Sequence, residues 1–425
     1  MTVTDDSSAT RLLNEKLPTQ GPASSAKWLV LLAAFLGWMF DGLEMGIFPQ
    51  ISRPALTELL KGTADFDRAM GWWNQFIAAM FLWGAATGGL VFGYLGDKIG
   101  RVKAMSISIL IYSLFTGLLY FANSPHYIAG MRFVAAIGMG GEWALGVALV
   151  MEVWDAKYRP ILAGLIGAAS NVGFVMISAL GATIKVDQTN WRYMVLAGAG
   201  PAVLTLLIQV FVPESHKWKE SQKVAPSKPM RELFGNRKLA LTTLLAICFA
   251  SVALLGTWGA VQNIPTWAGG MKSKTPSAIG FSGIVLGLGA IVGCLLAPMI
   301  AAALNRRIAY FLLCLGSLIS CELMFNNFDD YTWGFLGMAF VVGGMSAAFY
   351  GWLPLYLPEL FPTRVRATAQ GVAFNFGRIA AGIGAITGAL GKNFAQIGVY
   401  VSLIYAVGMV IIWFAPETKG KPLPE

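Results

Sequence analysis

The stretch GWWNQFIAAMFLWGAATGGLVFGYLGDKIGRVKAMSISILIYSLFTGLLYF, residues 71–121, holds two apolar runs and one short charged turn. Each run matches the roughly 20 residues an α-helix needs to cross a hydrocarbon core. Between them Asp97, Lys98, Arg101 and Lys103 fall within seven positions. Neither run alternates like a barrel strand, and a helix satisfies its own backbone groups in lipid. Two membrane helices joined by a tight polar turn are therefore expected here.

The pattern recurs in both directions. Twelve apolar segments are expected at 28–50, 70–95, 104–122, 127–153, 160–183, 191–212, 239–263, 278–303, 308–325, 331–357, 368–390 and 395–415. The chain is 56% hydrophobic and 12% charged, about half the charged share of a soluble domain. The fold class expected is an all-α membrane protein of twelve transmembrane helices in two pseudo-symmetric six-helix bundles. Residues 1–27 read as an N-terminal tail without a signal peptide's apolar core and cleavage site. The bundles span 28–212 and 239–415, joined by the polar linker 213–238, with a tail at 416–425.

The net charge of +9 is explained by placement rather than by nucleic acid binding. With both termini cytoplasmic, inside segments hold 21 Lys/Arg and outside loops eight, while Arg132 and Arg378 complete the 31. That is the positive-inside bias, and it orients the chain in a plasma or inner membrane. Cys248, Cys294, Cys314 and Cys321 form no disulfide framework or metal spacing. His126 and His216 stand apart, which argues against a His-based metal site. No nucleophile–base pair or Walker-type loop is visible, so neither an enzyme nor an ATP-driven pump is expected.

The halves repeat. Pro213-Glu214-Ser215 and Pro416-Glu417-Thr418 lie 203 apart, Glu152…Arg159 and Glu359…Arg366 lie 207 apart, and Asn171 and Asn375 lie 204 apart. Duplicated bundles with a polar site between them are a transporter architecture, in which one half rocks against the other.

With these motifs the chain resembles the major facilitator superfamily over almost its whole length. GYLGDKIGRVK, 93–103, is similar to that family's cytoplasmic signature loop. The PES and PET ends and LPELFPTRVRATAQG, 357–371, resemble the sugar-porter and metabolite/proton symporter branches. RFVAAIGMGGEWALGVALVMEVWDAKYR, 132–159, resembles the sialate and monocarboxylate symporters. Asp-Gly-Leu-Glu, 41–44, is similar to the Asp-Gly-X-Asp element of aromatic-acid/proton symporters, with Glu in place of the second Asp.

Asp41 and Glu44 share one helix face at i, i+3 spacing. Burial and a like-charged neighbour each favour a carboxylate's neutral form, so the pair is a candidate proton carrier. The resemblance implies that Arg132 faces the first-span acid, and it makes Glu44 the proton carrier with Asp41 as partner or second carrier. A static ion pair that orders two helices is the alternative. Glu142 lies ten residues beyond Arg132, about 15 Å along a helix. It either carries a proton or orders the site; a hydrogen bond to a Gly-rich neighbouring helix is the alternative.

Arg378 lies twelve residues beyond Arg366, and its repeat-related position is Phe174. A cation in one half alone is a candidate clamp for an anionic substrate, against snorkelling or pairing with Glu359. Pro265 is expected to break the seventh span near GAVQNIPTW. Gln262 and Asn263 would then line the substrate site, as the resemblance to sugar porters also implies, or cap a loop. Asn171, Asn375, Trp258 and Trp352 complete the candidate substrate set. Trp83 is a further lining candidate, and packing is the alternative for the tryptophans.

Asp97, Arg101, Glu152, Arg159, Glu359 and Arg366 sit at helix ends, where carboxylates favour neighbouring helix N-termini and pair with Arg. The resemblance implies a latch between the halves at the cytoplasmic side. The second-half counterpart of the signature loop, AAALNRR at 301–307, has no acid matching Asp97, so an asymmetric latch is expected.

The function expected is secondary transport of a small organic anion by proton symport with alternating access. A sugar or polyol porter is the alternative, and a non-transporting nutrient sensor a remote one. The partners expected are a small-molecule substrate and the bilayer, not nucleic acid. Protons are expected as the coupling ion with no other cofactor, and the chain as a monomer.

Overall fold

The computed structural model of the chain describes residues 24–184, 186–196, 198, 200, 210–224, 228–388 and 394–424. Among these the regular elements are all helical. The first half comprises α1 (Ser24–Leu59), α2 (Phe66–Ile99), α3 (Arg101–Leu118), α4 (Pro125–Gly140), α5 (Glu142–Val153) and α6 (Arg159–Thr183). Two short helices follow, α7 (His216–Val224) and α8 (Pro229–Gly235). The second half comprises α9 (Arg237–Gly259), α10 (Ile264–Ala268), α11 (Ala278–Ala303), α12 (Arg306–Asn327), α13 (Trp333–Ala347), α14 (Phe349–Leu360), α15 (Arg366–Gly388), α16 (Phe394–Ser402) and α17 (Ile404–Ile411).

Ten segments of the described residues are long and apolar enough to cross a membrane. Helix α15 occupies most of the eleventh expected run, whose last two positions lie outside the described residues. Half of the sixth run, 191–212, lies outside them. The chain is an all-α, multi-pass membrane protein.

Two spans bend at related places. Helices α4 and α5 form one span interrupted at Gly141, and α13 and α14 form another interrupted at Ala348. The offset is 207, the one that relates Glu152 to Glu359. In the first case Gly140 and Gly141 lower helix propensity at the break, and Glu142 becomes the first residue of α5. The seventh span breaks as the sequence predicts: α9 stops at Gly259, a 3₁₀ turn covers Val261–Asn263, and Pro265 sits in the first turn of α10. Proline is tolerated there because its missing N–H has no helical partner.

Small residues bring α1 and α6 backbone to backbone. A methyl on Gly42 would overlap the Ser170 carbonyl, and one on Gly173 would overlap that of Met39. Close packing of this kind replaces the hydrophobic effect as the glue between membrane helices. It fixes the face of α1 that carries Asp41 and Glu44.

Candidate functional site

Between the halves lie two adjoining chambers. The inner one, about 60 Å³, is lined among others by Trp38, Asn171, Thr257, Ser346, Tyr350 and Arg378. The outer one, about 70 Å³, is lined among others by Ser52, Asn74, Gln75, Phe81, Arg132 and Asn263. Met45, Trp258 and Gln262 border both and form the partition.

Arg378 is 2% exposed and donates from Nη1 to Asn375 Oδ1 at 2.6 Å. Its guanidinium lies over the Phe374 ring, 5.2 Å from the centroid. Asn375 in turn donates to the carbonyls of Gly140, 3.3 Å away at the α4–α5 break, and of Gly371. No carboxylate of the described residues comes within ion-pairing distance of Arg378, and its Nε has no hydrogen-bond partner. The pairing of Arg378 with Glu359 weighed from sequence does not occur. A buried guanidinium held over an aromatic face with donors to spare has the geometry to take a planar carboxylate in two parallel hydrogen bonds.

Glu44 and Arg132 form a buried ion pair, Oε1 to Nη1 at 2.9 Å. Arg132 is also held between Phe48 and Phe81, 5.0 and 4.7 Å from their ring centroids. The juxtaposition implied by the family resemblance is therefore present, at the border of the outer chamber. Asp41 does not join this pair; its carboxyl turns toward Glu142 of the bent span.

Of the other expected lining residues, Asn171, Trp258 and Gln262 border the inner chamber and Asn263 only the outer one. Asn375 supports Arg378 from behind. Trp352 is a correction: it is fully buried among Tyr310, Tyr356 and Phe249, and its Nε1 donates to the Arg306 carbonyl at 3.1 Å. Tyr350, two positions earlier, lines the chamber instead. Trp83 is likewise a packing residue, its Nε1 donating to the Ile379 carbonyl. Sequence reading missed Tyr350, although the 207-residue offset pairs it with Trp143 of the GGEW element. Both rings pack on Phe374, Trp143 stacked at 3.9 Å and Tyr350 edge-on at 6.0 Å.

The six latch residues gather at one end of the molecule, but in two clusters. In the first, Glu152 accepts from Arg101 and Arg366, each at 3.1 Å, and from Ser215 Oγ at 2.5 Å. Asp97 pairs with Arg101 at 3.0 Å and caps α15, accepting from the backbone N–H of Ala367 and Thr368 and from the Thr368 hydroxyl. Arg101 also donates to the Thr363 carbonyl at 2.9 Å. The N-terminus of α3 follows Gly100, whose φ of 109° suits glycine alone, and is capped by Glu214.

In the second cluster Glu359 accepts from Arg306 Nε and Nη2 at 3.0 and 2.7 Å and from Thr418 Oγ1 at 2.6 Å. Glu417 caps the N-terminus of α12. Its pKa lies below the usual carboxylate value: burial opposes ionisation, but four backbone N–H groups, from Lys419, Arg306, Arg307 and Thr418, outweigh it. Arg159 makes no ion pair among the described residues.

At the opposite end, the side-chain ties of the described residues stay within one half, as in Glu58 with Arg192 and Asp330 with Ser273. The structure is closed at the latch end.

Helical halves around a chambered cavity, tied together by a charge cluster at one end, are the architecture of a membrane transporter. Residues 28–385 match the description Major Facilitator Superfamily, and the chain belongs to that family of transporters, which are not enzymes. Curated relatives include the probable 4-methylmuconolactone transporter of Cupriavidus pinatubonensis, 27% identical over 91% of this chain and 90% of the relative. The cis,cis-muconate transport protein of Acinetobacter baylyi is also 27% identical, over 93% and 95%. Among solved structures, the proton:xylose symporter XylE bound to 6-bromo-6-deoxy-D-glucose superposes with a TM-score of 0.77, at 19% identity over 94% of this chain and 98% of the other.

Proposed function

We propose that the chain carries a small organic anion across the membrane together with protons, with the halves alternating about the two chambers. The observation that supports this best is Arg378: a buried cation bordering the inner chamber, oriented by Asn375 and Phe374, with no carboxylate of the described residues within ion-pairing distance. A buried guanidinium with no carboxylate bonded to it directly is costly to hold away from water, and a carboxylate solute that bonds to it offsets that cost where a neutral one does not. Two relatives carry names that specify a muconate or a muconolactone, which favours the same solute class.

Glu44 is assigned the proton of symport. Protonation breaks its pair with Arg132 and leaves that guanidinium facing the outer chamber, so proton loading and anion entry are linked at one place. The cytoplasmic placement of the latch and of both termini belongs to this reading, as does assignment to the inner membrane. A sugar or polyol rests on Gln262 and Asn263 as neutral hydrogen-bonding partners and leaves Arg378 unmatched.

The experiment is a thermal-shift comparison of wild type and Arg378→Ala with benzoate, cis,cis-muconate and xylose. Loss of one charged hydrogen-bonding partner predicts anion binding weakened by at least tenfold, or about 1.5–3 kcal/mol, with xylose unaffected. Equal weakening for all solutes contradicts the anion assignment.

A further inference from the structure

The pair formed by Asp41 and Glu142 is separate from the Glu44–Arg132 pair. The side chains of Asp41 and Glu142 are 0% and 2% exposed. Their carboxyls lie within hydrogen-bonding reach of each other, yet no donor of the described residues reaches any of their four oxygens. The charged and titratable groups that face them are Glu44 on their own side, Arg378 from α15, and Tyr112 from α3. The Tyr112 hydroxyl is itself fully buried and without a hydrogen-bond partner.

Two adjacent carboxylates in a dry site repel each other, and one proton turns that repulsion into a hydrogen bond. We propose that Asp41 and Glu142 share a single proton at neutral pH, making the pair a second proton-binding site whose occupancy is set by the charge on Arg378. This extends the proton-symport reading of the same cavity. With one proton the pair carries one negative charge, which the nearby Arg378 guanidinium balances. When a solute carboxylate engages Arg378, that balance is lost. The pair then takes up a second proton from water, one acid oxygen of each carboxyl now bearing hydrogen, and neutrality returns. Anion binding thereby loads a proton at a place the Glu44–Arg132 pair does not reach.

The bent span makes this arrangement possible. Without the interruption at Gly141, Glu142 would lie in mid-helix; instead it opens α5, where a carboxyl also meets the positive end of the helix dipole. Gly37 supplies the room, since a methyl there would sit 3.0 Å from Glu142 Oε2.

Infrared spectroscopy of the purified full-length protein tests the proposal without a solute. Wild type should show the C=O stretch of a protonated carboxyl at neutral pH. Asp41→Asn and Glu142→Gln should each abolish it, because the remaining acid then accepts from a neutral amide and stays ionised, whereas Glu44→Gln should keep it. Arg378→Gln, which removes the same charge that a bound anion neutralises, should raise the band roughly twofold. A band that survives both Asp41→Asn and Glu142→Gln, or wild type without one, overturns the shared proton; so does loss of the band on adding sodium, which would make the pair a metal-cation site. An unchanged band in Arg378→Gln overturns the link to the anion. None of these readings depends on flux, so failure of proton symport in vesicles and failure of this pair remain distinguishable.

Discussion

The charge clusters around Glu152 and Glu359 are built from corresponding residues yet do different work. Each has a carboxylate at the end of a bent span, an arginine opening the third helix of its half, a hydroxyl from Ser215 or Thr418, and a helix cap from Glu214 or Glu417. Arg101 and Arg306 even share the bond back to the carbonyl five residues earlier, Gly96 in one case and Ala301 in the other. The Glu152 cluster crosses to the other half through Arg366, Thr363 and the Asp97 cap on α15. Among the described residues the Glu359 cluster bonds only within its own half.

The difference is written on both sides of the second contact. Ala302 stands where Asp97 would repeat. At the receiving end, Pro160 and Ile161 stand where α15 offers the Ala367 N–H and the Thr368 N–H and hydroxyl. Proline has no N–H to give, and isoleucine has no hydroxyl. Arg159, the counterpart of Arg366, forms no ion pair among the described residues and feels Glu359 only at longer range. One cluster thus serves as the latch between halves, and the other as a brace inside one half.

The largest effect should come from Glu152→Gln. It leaves Arg101 and Arg366 buried without their carboxylate, a loss of about 3–5 kcal/mol for a broken buried pair, and it should release the closed end. Spin labels on the exposed residues Lys157 and Lys238 should then move apart. Glu359→Gln should lower the melting temperature by a similar amount but leave that separation unchanged; widening in both variants would remove the distinction between latch and brace. The smallest effect should come from adding the missing tie. Ala302→Asp with Ile161→Thr adds the missing acid and hydroxyl beside the N–H that residue 161 already has, while Pro160 still withholds one N–H. It should slow turnover roughly fivefold, or about 1 kcal/mol, without changing which solutes bind; faster turnover would contradict it.

Much of this was legible in the sequence. Hydropathy located the spans that the structure describes, and Pro265 located the break in the seventh. The repeated Glu-to-Arg spacing marked Glu152 and Arg366, which pair across the halves, but equally Glu359, which pairs inside one half, and Arg159, which forms no ion pair among the described residues; the absence of an acid in AAALNRR anticipated the asymmetry. What was not legible were the partners. The PES and PET ends were visible as a repeat, but their work became visible only in three dimensions, because capping of α3 and α12 joins residues more than a hundred apart. Arg306 passed unremarked because nothing local marks it as the partner of Glu359. Trp352 was misplaced for a related reason: on a helix apolar all round, sequence gives no face, and here the chamber side fell to Tyr350.

If an organic anion and protons move together, benzoate should be concentrated inside vesicles containing the purified chain when an inside-alkaline pH gradient is imposed and the membrane potential is clamped at zero. Its level should rise above the external concentration, collapse on adding a protonophore and be lost in Glu44→Gln. Uptake that proceeds at the same rate and to the same level with and without the gradient would contradict it.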